Sequence, residues 1–527
     1  MQLYQKKDRE TPVVLYNGLK LAIRRQQEAI KTNHALGISV SVRRVKEVRR
    51  NFAIAVTKFW QEVNVVIPPT VKLRLFVTCS TDNCDIDGKF VYHGTVYTIT
   101  AHLLRGNSGI ELPRVDISQV DKGGKIKIPE SYSNVPFVED NDDEIFLPPL
   151  GSKMKRPKSV SRYEIPDREW LNHAVSSINE YNDTLPEIPI TWSGYHSHNQ
   201  KDDDVRPPAS IGIFPEFYEK ADTLSMQKHG MKKMMEATEY ANPGQTPVLA
   251  ADSPIYRALK KLQRLYPDEV GEKKLVLFLG LLHFEMMKQE VGGKLMGGSG
   301  WAQMFAEAGI FTPGVCNSLT GGKFVKRTRE AYEITLIWNE IQKDFAYSDY
   351  CNIQPAPHSS KEEWLQKLVN ECPTIHYWNT IENFLLNYFR LIRGQRSGDW
   401  PLTLSSIDND LGWIFAFDRN SYSRLTPMFL LDMSKLPDLH PDVHQAFMSG
   451  LFGVQRSNKK FSVMSLDQSH EHSIKYVKED GGSRGNYQDK FEKEMLEVSR
   501  PEIIRAVHEF EEVLGKFWRT ILLFKFF

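Results

Sequence analysis

The chain is short of cysteine. Five occur in 527 residues, Cys79, Cys84, Cys316, Cys351 and Cys372, with no CxxC pair and an odd one left over. That excludes a disulfide scaffold and fits a reducing compartment. Charge of one sign is also lacking: Lys plus Arg number 67 against 66 Asp plus Glu, so net charge is silent about nucleic acid and any basic surface must be local. No apolar run reaches the roughly 18 residues of a membrane span, and MQLYQKKDRE has no leader pattern. The expectation is a soluble intracellular protein with no membrane partner. ILLFKFF reads as a truncated or misread end rather than an anchor. Both glycine clusters, GGKLMGGSG and LTGGKF, miss the G-x-x-x-x-G-K-[ST] spacing, so no nucleoside triphosphate is expected. H-E-x-x-H and G-x-S-x-G are missing too, as are zinc-finger and helix-turn-helix signatures.

What is present is a core-forming composition, 41% hydrophobic and 11% aromatic, long enough for two to four domains. The organising stretch is 246–287. An apolar run at 247–251 ends on Asp252, a helix is predicted over 253–266 from Ile255, Leu259, Leu262 and Leu265, and a second apolar run at 275–282 leads into His283 and Glu285. Strand, helix, strand with continuous apolar runs reads as a parallel unit covered on both faces. Working groups stand at the carboxyl ends of such strands, which is where Asp252 and His283 fall. Asp252 before Ser-Pro also reads simply as a helix cap.

Residues 1–66 read as helical, with Val42, Val45, Val48, Ala53, Val56 and Phe59 at helical intervals among Arg43, Arg44, Lys46, Arg49 and Arg50. Such a helix can lie on phosphates or simply present the solvated face of a packed helix. From 67 to 104 the period becomes two: a strand over 73–80, an acid-rich turn at Asp82, Asp85 and Asp87, and a return through His93, Gly94 and Thr95. Asn83, Asp85, Asp87 and Gly88 imitate half an EF-hand, but Gly94 stands where the bidentate Glu belongs and a strand precedes, so that reading fails. Residues 105–208 are a loop-rich insertion with charge blocks EDNDDE, KMKRPK and KDDDVRPP and one helix over 170–181; His196 and His198 read as surface-loop histidines. Residues 209–296 continue the core. Residues 297–460 are helical, their aromatics, among them Trp338, Trp400, Phe384, Phe389 and Phe415, reading mainly as bundle core beside Arg390, Arg393, Arg396, Arg419 and Arg424. Residues 461–527 bring Asp467, His470, Glu471 and His472 to the start of a helix and then run helical to the end.

Three acids stand out: Asp82 after a strand that enters a hairpin, Asp252 after a later strand, and Glu471 on a closing helix beyond a long insertion. Three carboxylates can hold two divalent ions roughly 3.5–4 Å apart across a phosphodiester. Strand, hairpin, strand with acid and closing helix with acid is the part order of ribonuclease-H-like polynucleotidyl transferases, so the expected fold is mixed α/β with such a core, a large all-helical insertion and a helical N-terminal region.

The segments LGISVSVRRV, DNCD with YHGT, NPGQTPVLAADSPIY, LLHFEMM, GSGWAQMFAEAGI, KRTREAYEI, LIRGQRSGDW, WIFAFDRNSYSRLTPMFLLDM, HPDVHQAFMSGLFGVQ and SLDQSHEH follow one another in that order. In them, residues 37–482 resemble an uncharacterised group of mobile-element-like proteins of animal genomes. Relatives in that group usually carry Gln where this chain has Ser253, and Gly-Gly where it has Leu281 and Leu282. The layout is similar to hAT-type DNA transposases, in which a strand ends in the second catalytic Asp, a histidine follows the next strand, and a helical insertion precedes the final Glu. That resemblance implies a DDE-type transposase or nuclease acting on DNA in the nucleus, with Asp82, Asp252 and Glu471 binding two Mg²⁺ or Mn²⁺ ions, and His283 orienting a phosphate or moving a proton. Arg393, Arg396, Arg419 and Arg424 would grip DNA, and homo-oligomerisation is compatible with it. The competing reading is a catalytically inactive mobile-element relic that serves as a nucleic-acid- or protein-binding module.

Overall fold

The computed structural model describes residues 12–24, 26–85, 93–120, 124–139, 164–180, 186–322, 324–353, 360–480 and 490–525. Asp87, Gly88, the acidic block after Glu139 and the basic block KMKRPK lie outside them. The protein is a mixed α/β structure, mostly helical, built on a small mixed sheet. Its strands are β1 (Val77–Asp85), β2 (His93–Ala101), β3 (Ser210–Ile213), β4 (Val248–Ala251) and β5 (Val276–Leu279), in the order β3-β2-β1-β4-β5. β1, β2 and β3 are antiparallel neighbours, while β4 runs parallel to β1 and β5 parallel to β4. β6 (Val454–Gln455) and β7 (Val463–Met464) form a separate two-stranded ribbon.

The two faces of β1 and β2 follow from the period-two pattern. Val77, Cys79, Tyr97, Ile99 and Ala101 point into the main core, where Tyr97 reaches Gln227 on the helix Leu224–Ala241. Asp82, Val96 and Thr98 face the closing helix, Leu466–Asp480: Val96 packs on its Ile474 and Thr98 bonds its His470. VLAA and VLFL, the sequences of β4 and β5, are buried throughout, as strands covered on both faces must be. The helix Ser253–Leu265 between them buries Ile255, Leu259 and Leu262 and stops before Pro267, whose ring disfavours helical backbone at Tyr266.

Several expectations shift. The first strand begins later and runs through Asp85, so Asp82 lies within the ladder opposite Val96 rather than in a turn; pairing along β2 overrides the turn preference of the polar run STDNCD. The run at 275–282 ends as a strand at Leu279, where Gly280 donates to the Ala251 carbonyl and the helix Leu281–Leu295 begins. β3 is an edge strand of four residues, too short to show a period. The helix predicted at 170–181 is found at Ile165–Asn179. Of the aromatics read as core, Trp400, Phe384 and Phe389 are buried, but Trp338 and Phe415 are exposed.

His196 and His198 are not in a loop. They belong to the helix Trp192–Asn199, and His196 is buried among the rings of Trp192, Tyr195 and Phe461. Burial, helped by the charge of Arg393, pushes His196 down to about 3. A folded pKa below the unfolded value of about 6.5 means that the folded protein binds fewer protons than the unfolded chain as the pH falls. His196 therefore costs nothing above pH 6.5 and costs stability progressively as pH drops towards 3. Replacing His196 with Phe should leave a urea midpoint at pH 7.5 little changed and make the variant increasingly more stable than wild type below pH 6.5, by up to about 1.4 kcal/mol per pH unit. Parallel acid limbs for the two proteins would count against a neutral buried imidazole.

The helical segment after β5 packs on the core of the sheet. One hydrophobic cluster runs from Ala53 and Trp60, through the sheet, to Phe384, Phe429 and Phe447 of the inserted helices. A second cluster joins the two ends of the chain. Leu19, Ile30, Val45, Val48 and Phe52 pack on Ile503 and Val507 of the helix Arg500–Lys525, and Arg49 pairs with Glu497 at 2.9 Å. The basic helix Val42–Val63 thus turns its valines inward, with Arg43 and Lys46 in solvent. Among the described residues no helix is long and apolar enough to cross a membrane.

Candidate functional site

The last parallel pair between β1 and β4 is Thr81 with Ala251. Asp82 and Asp252 each follow that pair by one residue, so they leave two adjacent parallel strands side by side. Asp252 also caps the helix that follows, its Oδ1 accepting from the Ile255 amide at 3.2 Å. The cap and the site are therefore compatible readings of one side chain. One strand further, Gly280 starts the helix Leu281–Leu295 and places His283 in its first turn.

The closing helix brings the remaining groups. Asp467 and Glu471 are four residues apart and share one face. Glu471 reaches Asp82, and single ligand atoms of Asp82, His283 and Glu471 all lie within 4.8 Å of one another. Asp467 is buried and accepts from the amides of Leu282 at 2.9 Å and His283 at 3.1 Å, and its Oδ2 stands 3.1 Å from His283 Nδ1. It thereby caps a helix that has no side-chain cap of its own. Gly280 makes this approach possible, for a Cβ there would lie 2.7 Å from Asp467 Oδ2.

The charges are strongly coupled. Burial, then the charge of Asp252 and contact with Glu471, push Asp82 up to about 8. Burial also raises Asp252, against the Ile255 amide and the charge of His283. Burial alone would lower His283, but Asp467, Asp82 and Asp252 outweigh it and raise the imidazole to about 9. Burial would likewise raise Asp467, and here the His283 ring and the Leu282 amide win and hold it low. Among the described residues no lysine or arginine pairs with Asp82, Asp252 or Glu471. His283 is the one basic group among the described residues that faces these carboxylates, and carboxylate oxygens with an imidazole beside them are a donor set that suits a divalent cation, so the residues fit the ions that the acid pattern implies.

All four residues read from the sequence as catalytic converge here. The arginines do not behave alike. Arg393 is buried and, with Arg390, holds Asp167, each at 2.6 Å. Arg396 bonds Ser193 and lies over the rings of Trp192 and Phe461, and burial lowers its pKa to about 10. Both guanidiniums that the sequence offered for DNA contact are thus engaged within the fold. Arg419 and Arg424 stand nearer the site, at the start of the helix Asn420–Leu439, whose Ser421 hydroxyl is 2.7 Å from that of Ser253. Arg419 pairs with Glu290, and Arg424 is exposed. Sequence reasoning passed over Asp467 as a site residue. Its signal was the four-residue spacing to Glu471.

Residues 342–520 match the model of a family described as a domain of unknown function (DUF8702). The match spans Asp467 and Glu471 but not Asp82, Asp252 or His283. No curated protein and no solved structure matches the chain.

Proposed function

We propose that this protein is a transposase-like polynucleotidyl transferase and nuclease with a ribonuclease-H-like core, acting on DNA phosphodiesters with divalent metal ions. The observation that carries the reading is the meeting of Asp82, Asp252, Glu471 and His283, from two neighbouring parallel strands and two helices, at one end of the sheet. The strand order β3-β2-β1-β4-β5, antiparallel on one side and parallel on the other, supports it, as does the long helical segment between β5 and the helix that carries Glu471.

In this reading Asp82, Asp252 and Glu471 hold the ions. Bound there, the ions would supply charge neutralisation for the attacking and leaving oxygens. His283, oriented by Asp467, contacts a phosphate oxygen or relays a proton. Arg419 and Arg424 border the same end and offer guanidiniums to the strand being cut. Purified protein is expected to nick supercoiled DNA in Mg²⁺ or Mn²⁺ and to stop when chelator is added, with activity restored on re-addition of metal. Nicking that persists in chelator would contradict the reading. DNA binding without any nicking, over a range of substrates and metals, would favour the inactive binding module.

A further inference from the structure

The tight cluster is not the carboxylate triad. The atoms that approach within 4.8 Å belong to Asp82, Glu471 and His283, two oxygen donors and one imidazole, whereas Asp252 spends one oxygen on the helix cap. The imidazole is held in a defined orientation. Asp467 already accepts from the Leu282 and His283 amides, so His283 Nδ1 supplies the hydrogen of their 3.1 Å contact, and Nε2 is the ring nitrogen that can take an ion in place of a proton. A carboxylate behind a histidine in this way fixes the tautomer and raises the basicity of the outer nitrogen, the arrangement typical of histidines that bind metal. Asp467 is itself fixed by the Leu282 and His283 amides.

We propose that Asp82, Glu471 and His283 form a mixed oxygen and nitrogen site that takes a first-row transition ion in preference to magnesium, with His283 as an inner ligand through Nε2 and Asp467 as its positioning residue. The proposal rests on the preceding reading only in placing a divalent ion at this end of the sheet. Magnesium favours oxygen and water, whereas an imidazole nitrogen favours manganese, cobalt or zinc. As an inner ligand His283 takes the ion in place of the phosphate contact or proton relay, and it is thereby a determinant of which ion the protein selects.

The test uses the full chain stripped with chelator. Free Mn²⁺ is followed by electron paramagnetic resonance during titration in excess Mg²⁺, and Co²⁺ is added separately to read its visible ligand-field bands. Wild type is expected to retain Mn²⁺ against magnesium. The His283→Gln variant should lose about 10–100-fold in Mn²⁺ affinity and change its Co²⁺ spectrum, with magnesium affinity nearly constant. Because the His283 side chain is 26% exposed, this replacement leaves the core packing in place. Asp467→Asn, checked for folding by circular dichroism, should weaken Mn²⁺ in the same direction. Unchanged Mn²⁺ affinity in His283→Gln, or displacement of Mn²⁺ by equimolar Mg²⁺ in wild type, would overturn the proposal, and magnesium-supported nicking in the same sample would leave the nuclease reading standing. Wild type that binds no divalent ion would overturn both.

Discussion

Asparagine in place of Asp82 is expected to abolish divalent-dependent nicking, by about 10³-fold or more, while making the metal-free protein more stable. The activity loss follows from removing an ionic ligand: several kcal/mol of charge stabilisation goes with it, and each 1.36 kcal/mol is tenfold in rate. The stability gain has a separate cause. The Asp82 carboxyl is buried beside Asp252 and Glu471 and is raised to about 8. A folded pKa above the unfolded value means that the carboxyl favours folding when protonated, and that stability is lost as pH rises from about 4 through about 8. At pH 8 in chelator the wild type therefore carries an unfavourable charge that the amide lacks. Thermal melts in chelator should place the variant above wild type, and added Mn²⁺ should raise the wild-type midpoint alone, by mass action. A variant that melts lower than wild type in chelator would contradict the electrostatic description of the site.

The second large effect lies behind the site. The helix that carries His283 at its start carries Lys288 one turn and a half further on, and Lys288 pairs with Asp410 at 2.7 Å with both side chains 1% exposed. Neighbouring Glu285 accepts from Arg329 and Tyr388, so the helix is held to the inserted helices by buried polar contacts as well as by packing. Replacing Lys288 with Met leaves Asp410 buried without its cation, with Asn387 as its remaining hydrogen-bond donor. The expected loss is about 3–5 kcal/mol in urea unfolding, and a Lys288→Met, Asp410→Leu double variant should recover most of it, because removing both charges is far cheaper than removing one. Equal destabilisation by the single and double variants would show that the pair does not behave as an isolated buried ion pair.

What the sequence disclosed and what it hid have physical reasons. β4, the helix Ser253–Leu265 and β5 were legible because buried parallel strands write continuous apolar runs and the helix between them is strongly amphipathic. Asp252 was legible as the polar residue that ends the first apolar run and precedes Ser-Pro. Asp82 was found for a partly mistaken reason: it was read as a turn residue, yet it sits in a ladder whose polar sequence hides its strand character. His196 was misread because YHSHN looks like a polar loop, and part of its burial comes from the distant Phe461. The internal contacts of Arg393 and Arg396 were hidden for a similar reason, since their partners Asp167, Ser193 and Trp192 lie some two hundred residues away. The union of the N-terminal helices with Ile503 and Val507 left no local trace at all.

Isothermal titration calorimetry with Mn²⁺, on wild type and on a triple variant with Asp82, Asp252 and Glu471 each changed to its amide, tests most directly whether these side chains share cations. Saturable binding by wild type and none by a folded triple variant is the expected result. The same heat and stoichiometry in both proteins would contradict the account.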